Sequence, residues 1–244
     1  MTFTTISLTV DERGVAYLRL EREAKHNALS ADMIAELSDA SKSIAQNPEI
    51  RVVVLEAVGE TFCAGGDLEW MKQQIHASRD QRMSEARMLA EMLYGLNTLP
   101  KPLIGKVQGN AFGGGVGMMS VCDLVICSIN AKFGLTEVKL GLIPATISPY
   151  VVARIGEANA RKTGLSAKIF SAVAAKEYGL VSEIAEDLDA AVEAEVSGFL
   201  RAAPAAIAAT KALFRELGPT IDTEVINRTI QRLADTWEGS EAQE

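Results

Sequence analysis

Two stretches of the chain repeat one arrangement, a strand-like run followed by a loop dense in glycine. Val52–Leu55 leads toward Phe62-Cys-Ala-Gly-Gly-Asp67, and Leu103–Val107 leads into Gly109-Asn-Ala-Phe-Gly-Gly-Gly115. Glycine has no Cβ, so such loops let backbone N–H groups approach a ligand that any side chain would hold away. The second loop opens a helix through Val116, Met118, Met119 and Val121. A helix apolar nearly all round is expected in the interior. The first N–H groups of a helix lack partners and its dipole favours negative charge there. Two such units aimed at one point would hold a developing oxyanion. Either loop alone reads as an ordinary tight turn, and the pair leaves both readings open.

The rest of the pattern gives these units a frame. Ile6–Val10 and Val15–Leu20, joined by Asp11-Glu-Arg-Gly14, predict a hairpin. Ser30 is placed to cap a helix carrying Met33, Leu37 and Ile44 on one face and ended by Pro48. Residues 80–97 predict a long helix with Met88, Met92 and Leu96 on one stripe, and Leu124–Cys127 a further strand. After Pro149 the chain turns alanine-rich and helical, ending in a stripe of Ile226, Ile230, Leu233 and Trp237. The expected plan is an α/β core over residues 1–185 and a helical region over 186–244. No Ser/Gly/Pro linker separates them, so the helices are expected to cover the core or a neighbouring subunit.

Composition removes several classes of function. A formal net charge of −8 disfavours a nucleic-acid binder. The N-terminal residues have no signal-peptide pattern, and no apolar run approaches the ~18 residues that span a bilayer. Three cysteines, Cys63, Cys122 and Cys127, and two histidines, His26 and His76, lack metal-site spacing. A reduced, cytoplasmic, metal-free protein is the expectation. Gly115-Val-Gly117-Met-Met-Ser120 nearly matches a dinucleotide fingerprint, but Ser120 replaces the third glycine and the preceding loop is too long. There is no P-loop and no Gly-x-Ser-x-Gly elbow. One carboxylate stands out. Glu137 lies in Phe133-Gly-Leu-Thr-Glu-Val-Lys-Leu-Gly-Leu-Ile-Pro144, where burial would raise its pKa toward that of a general acid or base. On pattern alone it reads as a surface residue paired with Lys139. Asp67 reads as the cap of a short helix over Leu68–Lys72.

With Lys25-His-Asn-Ala-Leu-Ser30, Cys122-Asp123 and the glycine loops, these blocks resemble the crotonase (enoyl-CoA hydratase/isomerase) superfamily over essentially the whole chain. The resemblance implies an α/β spiral of ββα units in two sheets, with C-terminal helices that drive trimers, often paired into hexamers. It implies an oxyanion hole at the N–H groups of Gly66 and Gly114, with Glu137 as acid/base. Contacts to the acyl-CoA substrate would come from Lys25, His26, Ala28, Ala64, Gly66, Asp67, Leu68, Gly114 and Gly117. No cofactor is implied beyond the coenzyme A that the substrate carries. Hydratases of this kind commonly have a second glutamate where Gly117 stands, and glycine there suggests room for a bulkier acyl group.

The expected reaction is addition of water to a 2,3-unsaturated acyl-CoA. An enoyl-CoA isomerase and a non-catalytic acyl-CoA-binding protein of the same fold are the alternatives. Asp67-Leu-Glu-Trp-Met71 and Pro144-Ala-Thr-Ile-Ser-Pro-Tyr150 resemble the branch that hydrates 3-methylglutaconyl-CoA in leucine breakdown, or its isohexenylglutaconyl counterpart. Such a substrate would need a cation for its distal carboxylate, and Lys72 and Arg154 are the candidates by position. The family commonly continues beyond Gly239-Ser-Glu-Ala-Gln-Glu244 with a helix over the coenzyme, so the sequence is expected to be short there.

Overall fold

A computed structural model describes residues 2–242 of the protein. The expected hairpin forms, with β1 (Ile6–Val10) antiparallel to β2 (Val15–Leu20) and Ile6 opposite Leu20. α1 (Ala31–Gln46) starts at Ser30, whose side chain accepts from the Met33 N–H, and buries Met33, Ile34, Leu37 and Ile44. β3 (Val52–Ala57) is buried over Val52–Leu55, as suits a strand with parallel neighbours and both faces covered.

The short strand β4 (Thr61–Cys63) follows, then α2 (Leu68–His76) and α3 (Arg79–Asn97). Ser78 and Gln81 close a reciprocal capping box at the start of α3. In α3, Met92 and Leu96 are buried as expected, but Met88 is exposed; the inward stripe runs through Arg82, Ala86 and Ala90 instead. β5 (Leu103–Val107), β6 (Asn110–Phe112) and α4 (Gly114–Val121) come next, then β7 (Leu124–Ser128) and β8 (Lys132–Gly134). Beyond a 3-10 turn at Glu137–Leu140 lie α5 (Ser148–Gly164), β9 (Phe170–Ser171), α6 (Ala172–Glu177) and β10 (Glu183–Ala185). Three helices end the described chain: α7 (Leu188–Leu200), α8 (Pro204–Leu217) and α9 (Thr223–Trp237), followed by a short 3-10 turn.

The strands divide between two sheets. One runs β1-β2-β3-β5-β7-β10, parallel from β2 onward; the other runs β4-β6-β8-β9, parallel except for its last pair. The chain therefore repeats a step from the large sheet to the small one and on to helical structure: β3-β4-α2, β5-β6-α4 and β7-β8 with its 3-10 turn. This is the α/β spiral of ββα units that the sequence led to. The small sheet was not legible, because two of its strands lie inside the glycine loops and are three residues long.

α4 is buried from Gly115 to Val121, so the main core closes around it on every side. On the other face of the large sheet, Val192 and Val196 of α7 pack on Val15, Val52, Val54, Ile104 and Ile126. α9 lays Ile226 and Ile230 on Ala86 and Ala90 of α3. Among the described residues, no helix is long and apolar enough to cross a membrane.

Candidate active site

Three parallel strands of the small sheet, β4, β6 and β8, end side by side, and each hands the chain to one element of the site. β4 leads to Ala64-Gly65-Gly66, β6 to Gly113-Gly114, and β8 to Leu135-Thr136-Glu137. The loops touch. A Cβ placed on Gly65 would stand 3.2 Å from the Phe112 carbonyl oxygen, and Gly65 (φ 96°) and Gly113 (φ 48°) adopt left-handed backbone that suits glycine. The Gly113 N–H donates to the Gly134 carbonyl (3.0 Å), tying the second loop to the third.

At this junction the N–H groups of Gly66 and Gly114 have no hydrogen-bond partner among the described residues. For Gly114 the reason is its place in the first turn of α4. For Gly66 it is a backbone bridge with Leu29: Leu29 N–H donates to Gly65 O (2.7 Å) and Asp67 N–H to Leu29 O (2.9 Å), which leaves the intervening N–H free. Asn27 sets that bridge. It is fully buried, accepts from the Arg22 N–H (2.9 Å), and donates to the carbonyls of Val58 (2.9 Å) and Thr61 (2.7 Å).

Glu137 faces the same point. A Cβ on Gly113 would lie 2.9 Å from Glu137 Oε1, so the carboxyl rests against the opening of α4. Its Oε2 is buried without a hydrogen-bond partner among the described residues. Burial raises its pKa above the usual carboxylate range, only partly offset by the N–H groups of Glu137 itself and Thr136. Among the described residues no ion pair joins Glu137 to Lys139, which is exposed. The pairing suggested by the sequence is thus corrected: the 3-10 turn directs Glu137 inward.

These groups line a cavity of about 280 Å³. Ala64, Gly66, Leu68, Gly114 and Glu137 are on its wall. Lys25, His26, Ala28 and Asp67 are not. Lys25 and His26 are exposed on the segment that pairs with the first glycine loop, and Lys25 meets Glu69 (3.1 Å). Asp67 caps α2 by accepting from the N–H groups of Glu69 and Trp70, and it pairs with Arg22 at 2.9 Å. Burial would raise its pKa, but the Arg22 guanidinium and the two N–H donors hold the carboxyl below its ordinary value.

Gly117 corrects the expectation of extra room. It is buried off the cavity wall, and a Cβ there would stand 2.4 Å from Ile147 Cγ2. Ile147 itself lines the cavity, so the space of a side chain at 117 is already filled. Both cations considered for a distal carboxylate also lie elsewhere. Lys72 is exposed off the wall, and Arg154 donates to the carbonyls of Cys122 (2.6 Å) and Gly179 (3.1 Å). Cys63 is fully buried, which pushes its thiol up to about 12.

Several wall residues escaped the sequence reading: Leu29, Trp70, Gln74, Arg82, Glu85 and Trp237. The available signal was a charged residue, Arg82, on the stripe of Ala86 and Ala90. The expectation of a helix past Glu244 lies outside the described residues.

The chain matches the enoyl-CoA hydratase/isomerase family over residues 11–242. An enoyl-CoA hydratase structure from Shewanella pealeana superposes with a TM-score of 0.87 at 37% identity, covering 99% of this chain and 91% of that one. A benzylidenesuccinyl-CoA hydratase of Thauera aromatica is 34% identical over 209 residues, 81% of this chain and 77% of the relative. A peroxisomal Δ(3,5)-Δ(2,4)-dienoyl-CoA isomerase of Arabidopsis thaliana is 31% identical over 216 residues, 83% and 77%.

Proposed function

The chain belongs to the enoyl-CoA hydratase/isomerase family, and from that premise we propose that it adds water across the 2,3 double bond of an acyl-CoA. The observation that carries the reading is Glu137 Oε2, buried, unpaired and set against the opening of α4. The N–H groups of Gly66 and Gly114 donate to the thioester oxygen. Glu137 takes a proton from water as the oxygen of that water bonds to C3. The double-bond electrons move onto the thioester oxygen, where the two N–H groups stabilise the enolate. The enolate then collapses, and C2 takes the proton back from Glu137.

Burial serves both halves of this cycle. A carboxyl whose pKa is raised binds the proton of water more firmly than an exposed one, yet still releases it to carbon. Donors fixed in the backbone need no reorganisation when charge develops, and one such donor is worth about 100- to 1000-fold in rate. The chemistry requires no cofactor beyond the coenzyme A of the substrate. Lys25, His26, Ala28 and Ala64 are proposed to meet the coenzyme. Leu213, Phe214 and Leu217, exposed on α8, support the trimeric assembly that the resemblance implies.

Isomerisation is the second reading, and the Ile147 methyl at Gly117 favours it. With no carboxylate at 117, one group must move every proton, and moving a proton between C2 and C4 needs only one. The glutaconyl ester keeps the sequence likeness around Asp67 and Pro144 as support but loses both of its expected cations. Turnover of a panel of enoyl-CoA esters in ¹⁸O-labelled water separates the readings. Label at C3 of the product supports hydration, and double-bond migration without label refutes it.

A further inference from the structure

The wall away from the glycine loops carries a second carboxylate that the mechanism does not use. Glu85, on α3, lines the cavity together with Trp70 and Gln74 of α2. Its Oε2 accepts from both Trp70 Nε1 and Gln74 Nε2. Its Oε1 has no partner among the described residues. Among the described residues the one cation on the wall, Arg82, is directed elsewhere: Nε donates to the Gln74 carbonyl (2.7 Å) and Nη2 to that of Ile75 (3.0 Å). Those carbonyls close the C-terminal end of α2, where a cation is favourable. The Arg82 guanidinium also lies over the Trp237 ring at 5.8 Å.

Position along α2 sets how far from the thioester this wall stands. α2 begins at Leu68, two residues past Gly66, and at 1.5 Å per residue Gln74 stands about 9 Å farther along the helix. With the coenzyme held at Lys25, His26, Ala28 and Ala64, as proposed above, a thioester at Gly66 and Gly114 would present the far end of its acyl group to Glu85. A carboxylate accepts hydrogen bonds and donates none, and it repels a second carboxylate.

We propose that Glu85 selects acyl groups ending in a hydroxyl, which can donate to its Oε1, over acyl groups ending in a carboxylate. The proposal rests on the acyl-CoA reading of the cavity and is independent of which reaction follows. It also runs against a glutaconyl substrate.

Three 2-enoyl-CoA esters of equal length, ending in methyl, hydroxyl or carboxylate, test it. With wild-type protein the hydroxyl ester is expected to exceed the carboxylate ester in kcat/KM by about 100-fold or more. Glu85→Gln keeps the shape without the charge, and the ratio is expected to fall at least about tenfold, chiefly through KM for the carboxylate ester. Glu85→Asp keeps the charge and is expected to keep the preference. The same ratios are read as Kd values of the saturated esters by calorimetry. Loss of turnover on all three esters would thus refute the hydration reading while leaving the selection measurable. A carboxylate ester preferred by the wild type, or a ratio unchanged within twofold in Glu85→Gln, overturns the role of Glu85.

Discussion

Replacing Glu137 by Gln should slow the enzyme and stabilise the protein at the same time. The substitution keeps the shape and removes a charge from a site where Oε2 has no partner. A buried acceptor left unsatisfied costs about 1–3 kcal/mol, and more when charged. A raised pKa means that the folded state favours the protonated form. Below the ordinary glutamate value of 4.5 the group is protonated folded or unfolded, and the wild type carries no penalty. As pH rises from there through the higher folded value, the unfolded chain ionises first and the wild type loses stability. The amide has no such dependence. Thermal melting at neutral pH should therefore place Glu137→Gln above the wild type, by about 2–4 °C for each kcal/mol in a chain of this size. At pH 4 the two curves should draw together. Activity at neutral pH should fall about 100- to 10,000-fold, the range for loss of a general acid–base group. A variant no more stable than the wild type at neutral pH, or a gap that does not change with pH, would refute the buried, unpaired carboxylate. Retained turnover would remove Glu137 from the chemistry.

Gly114→Pro deletes the N–H at the first position of α4, where proline suits a helix, and should lower kcat by about 100- to 1000-fold in a folded protein. Gly114→Ala is the control: it brings the same Cβ toward Leu29 Cδ1, 2.6 Å away, but keeps the donor, so equal losses would sink the oxyanion assignment. Gly117→Ala should destabilise by about 1–3 kcal/mol in denaturant melts, because its Cβ meets Ile147. Adding Ile147→Ala should recover part of that loss, and strict additivity of the two changes would show that the residues do not compete for space. Asp67→Ala removes the α2 cap and the Arg22 ion pair and should lower stability by about 0.5–2 kcal/mol from the cap alone. An unchanged melting temperature would refute the capping role.

The legible parts of the fold have local causes. Ser30 capped α1 and Asp67 capped α2 because a short polar side chain reaches the N–H groups of the next turn without help from the rest of the molecule. The buried α4 was visible because no polar residue interrupts its apolar surface except Ser120, whose hydroxyl donates back to the Val116 carbonyl. β4, β6 and β8 were not visible, since three residues give no alternation to read and their partners lie tens of residues away.

The site divides along the same line. The sequence by itself marked the two glycine loops as places where backbone could approach a ligand, because the lack of a side chain is a local property, and the family resemblance singled out Gly66 and Gly114 within them. It also marked Glu137 as a candidate, but could not tell an inward carboxylate from one paired with Lys139. That choice belongs to the tertiary structure, which packs the end of β8 beside the end of β6 and sets the carboxyl against Gly113. Gly117 shows the limit most clearly. Its identity was plain, but whether it leaves a space depends on Ile147, thirty residues on and on another element. Arg82, Glu85 and Trp237 joined the wall for the same reason: α2, α3 and α9 converge only when the chain has folded.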